Sequence, residues 1–228
     1  MTRALHTNQV FAETAMRPRF IAVEGPIGVG KTTLAKRLAE SFNYETLLEP
    51  SYANPFLDKF YRDGSNYALS TQLYFLLHRA QQLAELRQDD LFRPVRVADF
   101  LMEKDRLFAE LTLNEEELAL YNQVYAHLTI SQPAPSLVIY LQAPKEILLT
   151  RIKRRGVPAE QYIRPDYLEA LNEAYARFFH FYDSAPLLIV NAGEIDLVND
   201  DAQYESLLQE ILEFRGPRNY YNPQPSLL

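Results

Sequence analysis

Eight consecutive residues, Gly25-Pro26-Ile27-Gly28-Val29-Gly30-Lys31-Thr32, carry the most specific chemical pattern in the chain. They read G-x-x-x-x-G-K-[ST], a glycine-rich loop that curls backbone N–H groups around phosphate oxygens. In such a loop Lys31 meets the β- and γ-phosphates, and the Thr32 hydroxyl reaches Mg²⁺. Gly25, Gly28, Val29, Gly30 and Thr33 complete the expected phosphate cradle. A glycine turn that binds nothing is the alternative, and its flanks argue against it. An apolar run, Phe20-Ile21-Ala22-Val23-Glu24, precedes the loop, and an amphipathic stretch, Thr33 to Glu40, follows it. Strand, loop and helix stand in the order that phosphate binding needs.

Three further sites could join that chemistry. Glu49 ends a short stretch, Tyr44 to Leu48, that reads as a strand, and so sits at a strand's carboxyl end, where open α/β sheets bind ligands. A solvated strand-end acid would look the same. Asp99 closes another run, Arg96-Val97-Ala98, and an acid there can support the Mg²⁺ shell, directly or through water. Arg151, Lys153, Arg154 and Arg155 place four cations in five residues. Cations at a helix C-terminus before Gly156 satisfy the helix dipole, which accounts for one or two of them. The rest, in an acidic chain, point to a phosphate clamp in which Arg151 and Arg155 share a helix face.

The remaining elements form the scaffold. Residues 54–88 read as helical, with a break at Asp63-Gly64-Ser65-Asn66; Gln72 and Arg79 fall on one side of the second segment. Leu118, Tyr121, Tyr125 and Leu128 make a stripe on a helix over 115–130, fit for a bundle or a dimer seam. Ser136–Leu141 and Leu187–Ala192 are apolar enough to be strands buried on both faces. Helices over Lys145–Arg155, Pro165–Phe181 and Ala202–Phe214 alternate with them. The result is an α/β chain with a five-stranded parallel sheet flanked by helices and a short Arg-rich lid.

Composition narrows the function. With 228 residues the chain suits one domain. Residues 1–17 read as a loose extension, 18–214 as the domain, and 215–228 as a poorly ordered tail with three prolines. The net charge of −7 disfavours a nucleic-acid polymer as partner, since phosphate neutralisation needs a basic surface. No apolar run is long enough to span a membrane, and no signal-peptide core is present, so a cytoplasmic protein is expected. There is no cysteine for a disulfide or thiolate metal site.

Over roughly residues 18–213 the order of these pieces resembles the deoxynucleoside kinase family. The resemblance implies a small-molecule deoxynucleoside as acceptor, ATP or another NTP as donor, Mg²⁺, and a homodimer packed through helices near 55–85 and 115–130. It makes Glu49, with Pro50 after it, the general base for the nucleoside 5′-hydroxyl. Tyr61 and Glu160 would touch the sugar 3′-hydroxyl, and Gln72 would read the base edge. Arg79 would pair with Asp105 beside the base, and Lys31, Arg151 and Arg155 would act on the donor phosphates. The Arg79–Asp105 pair resembles enzymes that take deoxyadenosine, deoxyguanosine or deoxycytidine, with purine deoxynucleosides favoured and deoxycytidine open. The chemistry is coherent on its own terms: a carboxylate accepts the hydroxyl proton, and cations stabilise charge on the transferred phosphoryl.

One departure stands out. The family pattern Glu-Arg-Ser is Asp99-Phe100-Leu101 here, and Val157 occupies a lid position where relatives often carry Arg. Either Lys104 or a lid arginine takes over, or turnover is weak. The other readings are accordingly a catalytically weak, nucleotide-binding interaction subunit and a nucleoside monophosphate kinase on the same architecture.

Overall fold

The computed structural model describes residues 20–88, 96–128 and 134–223, with the backbone alone for 85–88. The expected loose extension, 1–17, lies outside the described residues.

A parallel sheet forms the centre. Its strands are β1 (Phe20–Glu24), β2 (Glu45–Leu47), β3 (Arg96–Ala98), β4 (Leu137–Gln142), β5 (Leu187–Asn191) and β6 (Arg218–Tyr221). Across the sheet the order is β2-β3-β1-β4-β5-β6, and every neighbouring pair is parallel. β1 is buried at all of its residues, and β4 from Leu137 to Leu141, as continuous apolar runs in a sheet covered on both faces require. After β1 the chain moves to one side of the sheet, and after β3 it crosses to the other. The carboxyl ends of β1 and β3 therefore flank a topological switch point, where such sheets open a crevice.

The helices are α1 (Lys31–Phe42), α2 (Leu57–Asp63), α3 (Ala68–Gln88), α4 (Lys104–Thr112), α5 (Glu115–His127), α6 (Lys145–Arg155), α7 (Pro165–Phe181) and α8 (Asp201–Glu213). Gly64 at φ 55° ends α2 where the sequence breaks, and a short 3₁₀ turn leads into α3. Leu34, Leu38, Leu148, Leu171, Phe179 and Leu207 bring α1, α6, α7 and α8 into one core with the strands. Leu76, Leu83, Met102, Ala109 and Tyr121 form a second cluster that joins α3, α4 and α5. The stripe on α5 thus packs in a bundle, with Tyr121 fully buried. No described helix is long and apolar enough to cross a membrane.

The sheet has six strands among the described residues rather than the expected five. The sixth, β6, lies in the tail read as poorly ordered. Its sequence, Arg-Asn-Tyr-Tyr, has no apolar alternation because it is an edge strand held through its backbone: Leu187↔Arg218 to Val190↔Tyr221 pair in register. The Arg218 guanidinium also donates to the carbonyls of Tyr182 (2.6 Å) and His180 (3.1 Å), which fixes the strand's first residue.

Candidate active site

The glycine loop joins β1 to α1 at the switch point. Gly25 has φ 148°, and a Cβ there would land on the Leu141 carbonyl oxygen. Gly28 has φ 83°, and its Cβ would meet Ile152 of α6 at 2.8 Å. Both positions need glycine for space as well as for backbone conformation. Inside the loop, Lys31 Nζ donates to the carbonyls of Gly25 (2.7 Å) and Pro26 (3.1 Å). Burial, reinforced by repulsion from Lys104, lowers the Lys31 ammonium to about 8.

That value carries a sign. Below about pH 8 Lys31 is charged and attracts polyanions; as the pH rises through about 8 the charge is lost in the ligand-free protein. Affinity for tripolyphosphate should therefore fall between about pH 7 and about pH 9.5, as calorimetric titration would show, instead of staying flat as for an ordinary lysine.

Asp99 ties the loop to the neighbouring strand end. Its Oδ2 accepts from the Thr32 hydroxyl at 2.5 Å, and its Oδ1 from the Glu49 backbone N–H at 2.8 Å. The Thr32 hydroxyl and Asp99 carboxylate form a hard-oxygen pair that fits Mg²⁺, an ion that usually keeps several waters and binds through one or two protein oxygens plus phosphates. No cluster of three or more acidic, histidine or cysteine side chains among the described residues competes for a metal.

Glu49 stands between two cations. It forms an ion pair with Arg79 and sits 3.2 Å from Lys104 Nζ through Oε2. Burial pushes its carboxyl up, but Arg79 and Lys104 outweigh that and hold it at about 2. Each cation has a second carboxylate behind it: Arg79 pairs with Asp105, and Lys104 lies 3.8 Å from Glu24. All four of these supporting side chains are at least 95% buried. Gln72, buried on α3, donates from Nε2 to Thr112 Oγ1 at 3.2 Å. Burial raises the Tyr61 hydroxyl well above its usual value, and Tyr167, Glu160, Arg155 and Glu49 surround it electrostatically.

The lid arginines divide their work. Arg155 grips Glu160 through Nε (3.0 Å) and Nη2 (2.5 Å). Arg151 instead donates to the carbonyls of Val29 (3.1 Å), Ala192 (2.8 Å) and Ile195 (2.8 Å), tying α6 to the glycine loop and to the segment after β5. A cleft of about 510 Å³ opens beside them. It is lined by Gly28 to Thr33, by Arg151, Arg154 and Arg155, and by Ile195 to Asn199. Arg37 braces its far wall by donating to the Leu197 carbonyl at 2.9 Å.

The structure thus gathers Lys31, Thr32, Asp99, Glu49, Arg79 and Asp105 at one end of the sheet, with Tyr61 near Glu49 and Arg155 and Glu160 near Tyr61. Sequence reasoning missed Glu24, Thr112 and the Ile195–Asn199 segment. Glu24 left a signal, an acid ending a wholly apolar strand. The segment carries no motif at all.

Comparison with known proteins points to one family. A family model described as deoxynucleoside kinase matches residues 21–215. The chain is 36% identical over 200 residues to a deoxyguanosine kinase of Bacillus subtilis, covering 85% of this chain and 96% of that one. It is 29% identical over 201 residues to the deoxyadenosine/deoxycytidine kinase of the same organism, covering 84% and 90%. Among solved structures, a deoxyadenosine kinase from M. mycoides with the products dCMP and a flexible dCDP superposes with TM-score 0.74 at 26% identity, covering 86% of this chain and all of that one. The same protein with bound dATP gives TM-score 0.73.

Proposed function

The chain belongs to the deoxynucleoside kinase family, and from that premise we propose that it moves the γ-phosphoryl of ATP to the 5′-hydroxyl of a purine deoxynucleoside, with Glu49 as general base. Phosphorylation of a deoxynucleoside is the reaction of its relatives, and the chain carries the phosphate loop, Glu49 and the Arg79–Asp105 pair, with Phe100 where the family pattern has Arg. The observation that carries the reading is the place of Glu49: its backbone N–H is bound to Asp99, partner of the loop's Thr32, and its carboxylate to Arg79, partner of Asp105.

The proposed roles rest on the family resemblance and on which of these side chains lie together. The acceptor lies across Tyr61, Gln72, Arg79, Asp105 and Glu160, with its 5′-hydroxyl on Glu49. Gln72 offers donor and acceptor groups side by side to a base edge. Glu49 accepts the hydroxyl proton as the new P–O bond forms. A carboxyl at about 2 is a weak base, which suffices because the transition state is loose and the proton leaves late. The donor triphosphate lies in the loop, where the amides of Gly28, Gly30 and Thr33 hold it and Lys31 charge-stabilises it; the Gly25 N–H is taken by Glu24 and the Val29 N–H by the Pro26 carbonyl. Arg155 is free to exchange Glu160 for phosphate when the lid closes, while Arg151 keeps the loop in place. Thr32 and Asp99, the latter directly or through water, would hold Mg²⁺, which would supply charge neutralisation to the donor phosphates.

Two features favour a nucleoside over its monophosphate as acceptor. Arg79 and Lys104, the cations beside Glu49, are both already matched by carboxylates. An acceptor phosphate would have to displace one of them. The test is transfer of labelled phosphate from ATP to each of the four deoxynucleosides and to dGMP and dAMP. Preferred phosphorylation of deoxyguanosine or deoxyadenosine supports the reading. Preference for a monophosphate, or tight binding without turnover, would overturn it.

We also propose a homodimer through α3 and α5. These helices pack on one another and leave Leu77 and Leu120 51% and 47% exposed. Replacing both by Glu should convert a dimer to a monomer in light scattering; an unchanged mass would place the seam elsewhere.

A further inference from the structure

Lys104 is oddly placed for a lysine. It is the first residue of α4, where the helix dipole disfavours a cation, and its side chain is only 4% exposed. Taking an ammonium group out of water costs several kcal/mol, and an apolar residue would commonly serve stability as well or better. What holds the charge there is a pair of carboxylates, Glu49 at 3.2 Å and Glu24 at 3.8 Å.

Glu24 is itself a hub. Its Oε1 accepts from the Gly25 N–H and the Tyr175 hydroxyl, both at 2.9 Å, and its Oε2 from the Leu101 N–H at 2.8 Å. Glu24 thus binds the first residue of the phosphate loop, the segment after β3, and α7 at one point. Lys104 extends that hub to Glu49. The far oxygen of Glu49 meets Arg79, which is anchored on Asp105 in the same way. The carboxylate is gripped at both ends, each time by a cation backed by a second buried acid. Oε1 of Glu49 is buried against Arg79, but Oε2 keeps a further lone pair to which a hydroxyl can donate.

We propose that Lys104 is a positioning residue for phosphoryl transfer, carrying the placement of the phosphate loop from Glu24 to Glu49. Arg79 orients the carboxylate relative to the acceptor; Lys104 orients it relative to the donor. Without Lys104 the carboxylate keeps its acceptor-side grip and loses its side-chain tie to Glu24, while Asp99 still holds only the Glu49 backbone to the loop. This inference rests on Glu49 acting as the base.

The test compares wild type, Lys104→Met, and Lys104→Cys treated with 2-bromoethylamine. The chain has no native cysteine, so alkylation adds an ammonium group of lysine-like length at position 104 alone. The reaction is done in urea before refolding, so the charge is present as the core forms. Lys104→Met should lower kcat about 100-fold, the scale of a misplaced reacting group, with dissociation constants for ATP and deoxynucleoside changed by less than about 3-fold. Aminoethylated Lys104→Cys should regain most of the lost kcat, and would report alone if the Met variant did not fold. Wild-type kcat in Lys104→Met would overturn the proposal. So would a folded, aminoethylated protein that binds both substrates and stays slow. If wild type itself phosphorylates no deoxynucleoside, the proposed function fails instead.

Discussion

Glu49→Gln should lower single-turnover phosphoryl transfer by about 10²- to 10⁴-fold, the usual contribution of a positioned general base. Gln keeps the shape of Glu but accepts no proton at any accessible pH. The objection is structural, since the substitution removes a negative charge from between Arg79 and Lys104. Each of those cations has a second carboxylate, Asp105 or Glu24, so neither is left buried without a partner. The variant should therefore fold and bind ATP and deoxynucleoside, with the loss confined to kcat. Equilibrium binding beside rapid-quench transfer separates the two effects. A variant that binds both ligands and transfers at the wild-type rate would remove Glu49 as the base while leaving the kinase activity in place.

Lys31→Met should cost about 10³-fold in kcat/KM for ATP, the upper end of what one preorganised donor to developing charge supplies. Here the effect on stability goes the other way. Lys31 has two backbone carbonyls as its hydrogen-bond partners, and burial depresses its pKa, so carrying the charge is a burden on the ligand-free fold. Removing the charge should leave the melting temperature unchanged or slightly raised, even as transfer collapses. Thermal unfolding measured beside transfer decides the matter. A parallel loss of both would make Lys31 a structural residue of the loop rather than a ligand for phosphate.

How much of this could be read from the sequence depended on how local each feature is. The phosphate loop is contiguous, so eight residues and their flanks specify it. Glu49 and Asp99 were legible because a strand end is itself a position in the fold. In the quartet Glu103-Lys104-Asp105-Arg106, resemblance singled out Asp105 as the partner of Arg79 and Lys104 as a substitute cation, while the local pattern showed only charge. Burial separates its members: Lys104 and Asp105 point inward and Arg106 outward, and only the packing of α4 against its neighbours decides which. Arg151 and Arg155 share a helix face, as their spacing implies, but one turn of displacement gives them different neighbours, carbonyls for Arg151 and Glu160 for Arg155. β6 escaped notice because backbone pairing, not apolar burial, holds it. The Ile195–Asn199 wall of the cleft is a local turn in which Asp196 accepts from the Val198 and Asn199 N–H groups, and what places that turn beside the loop is Arg37 and Arg151, distant in sequence.

A crystal structure of the enzyme with deoxyguanosine, compared with one holding deoxyadenosine, tests the central claim most directly. The account predicts the sugar 5′-oxygen about 2.6–3.2 Å from a Glu49 carboxylate oxygen, with Arg79 and Lys104 still gripping that carboxylate. A bound nucleoside whose 5′-oxygen lies farther than one bridging water from Glu49, facing some other side chain, would contradict it.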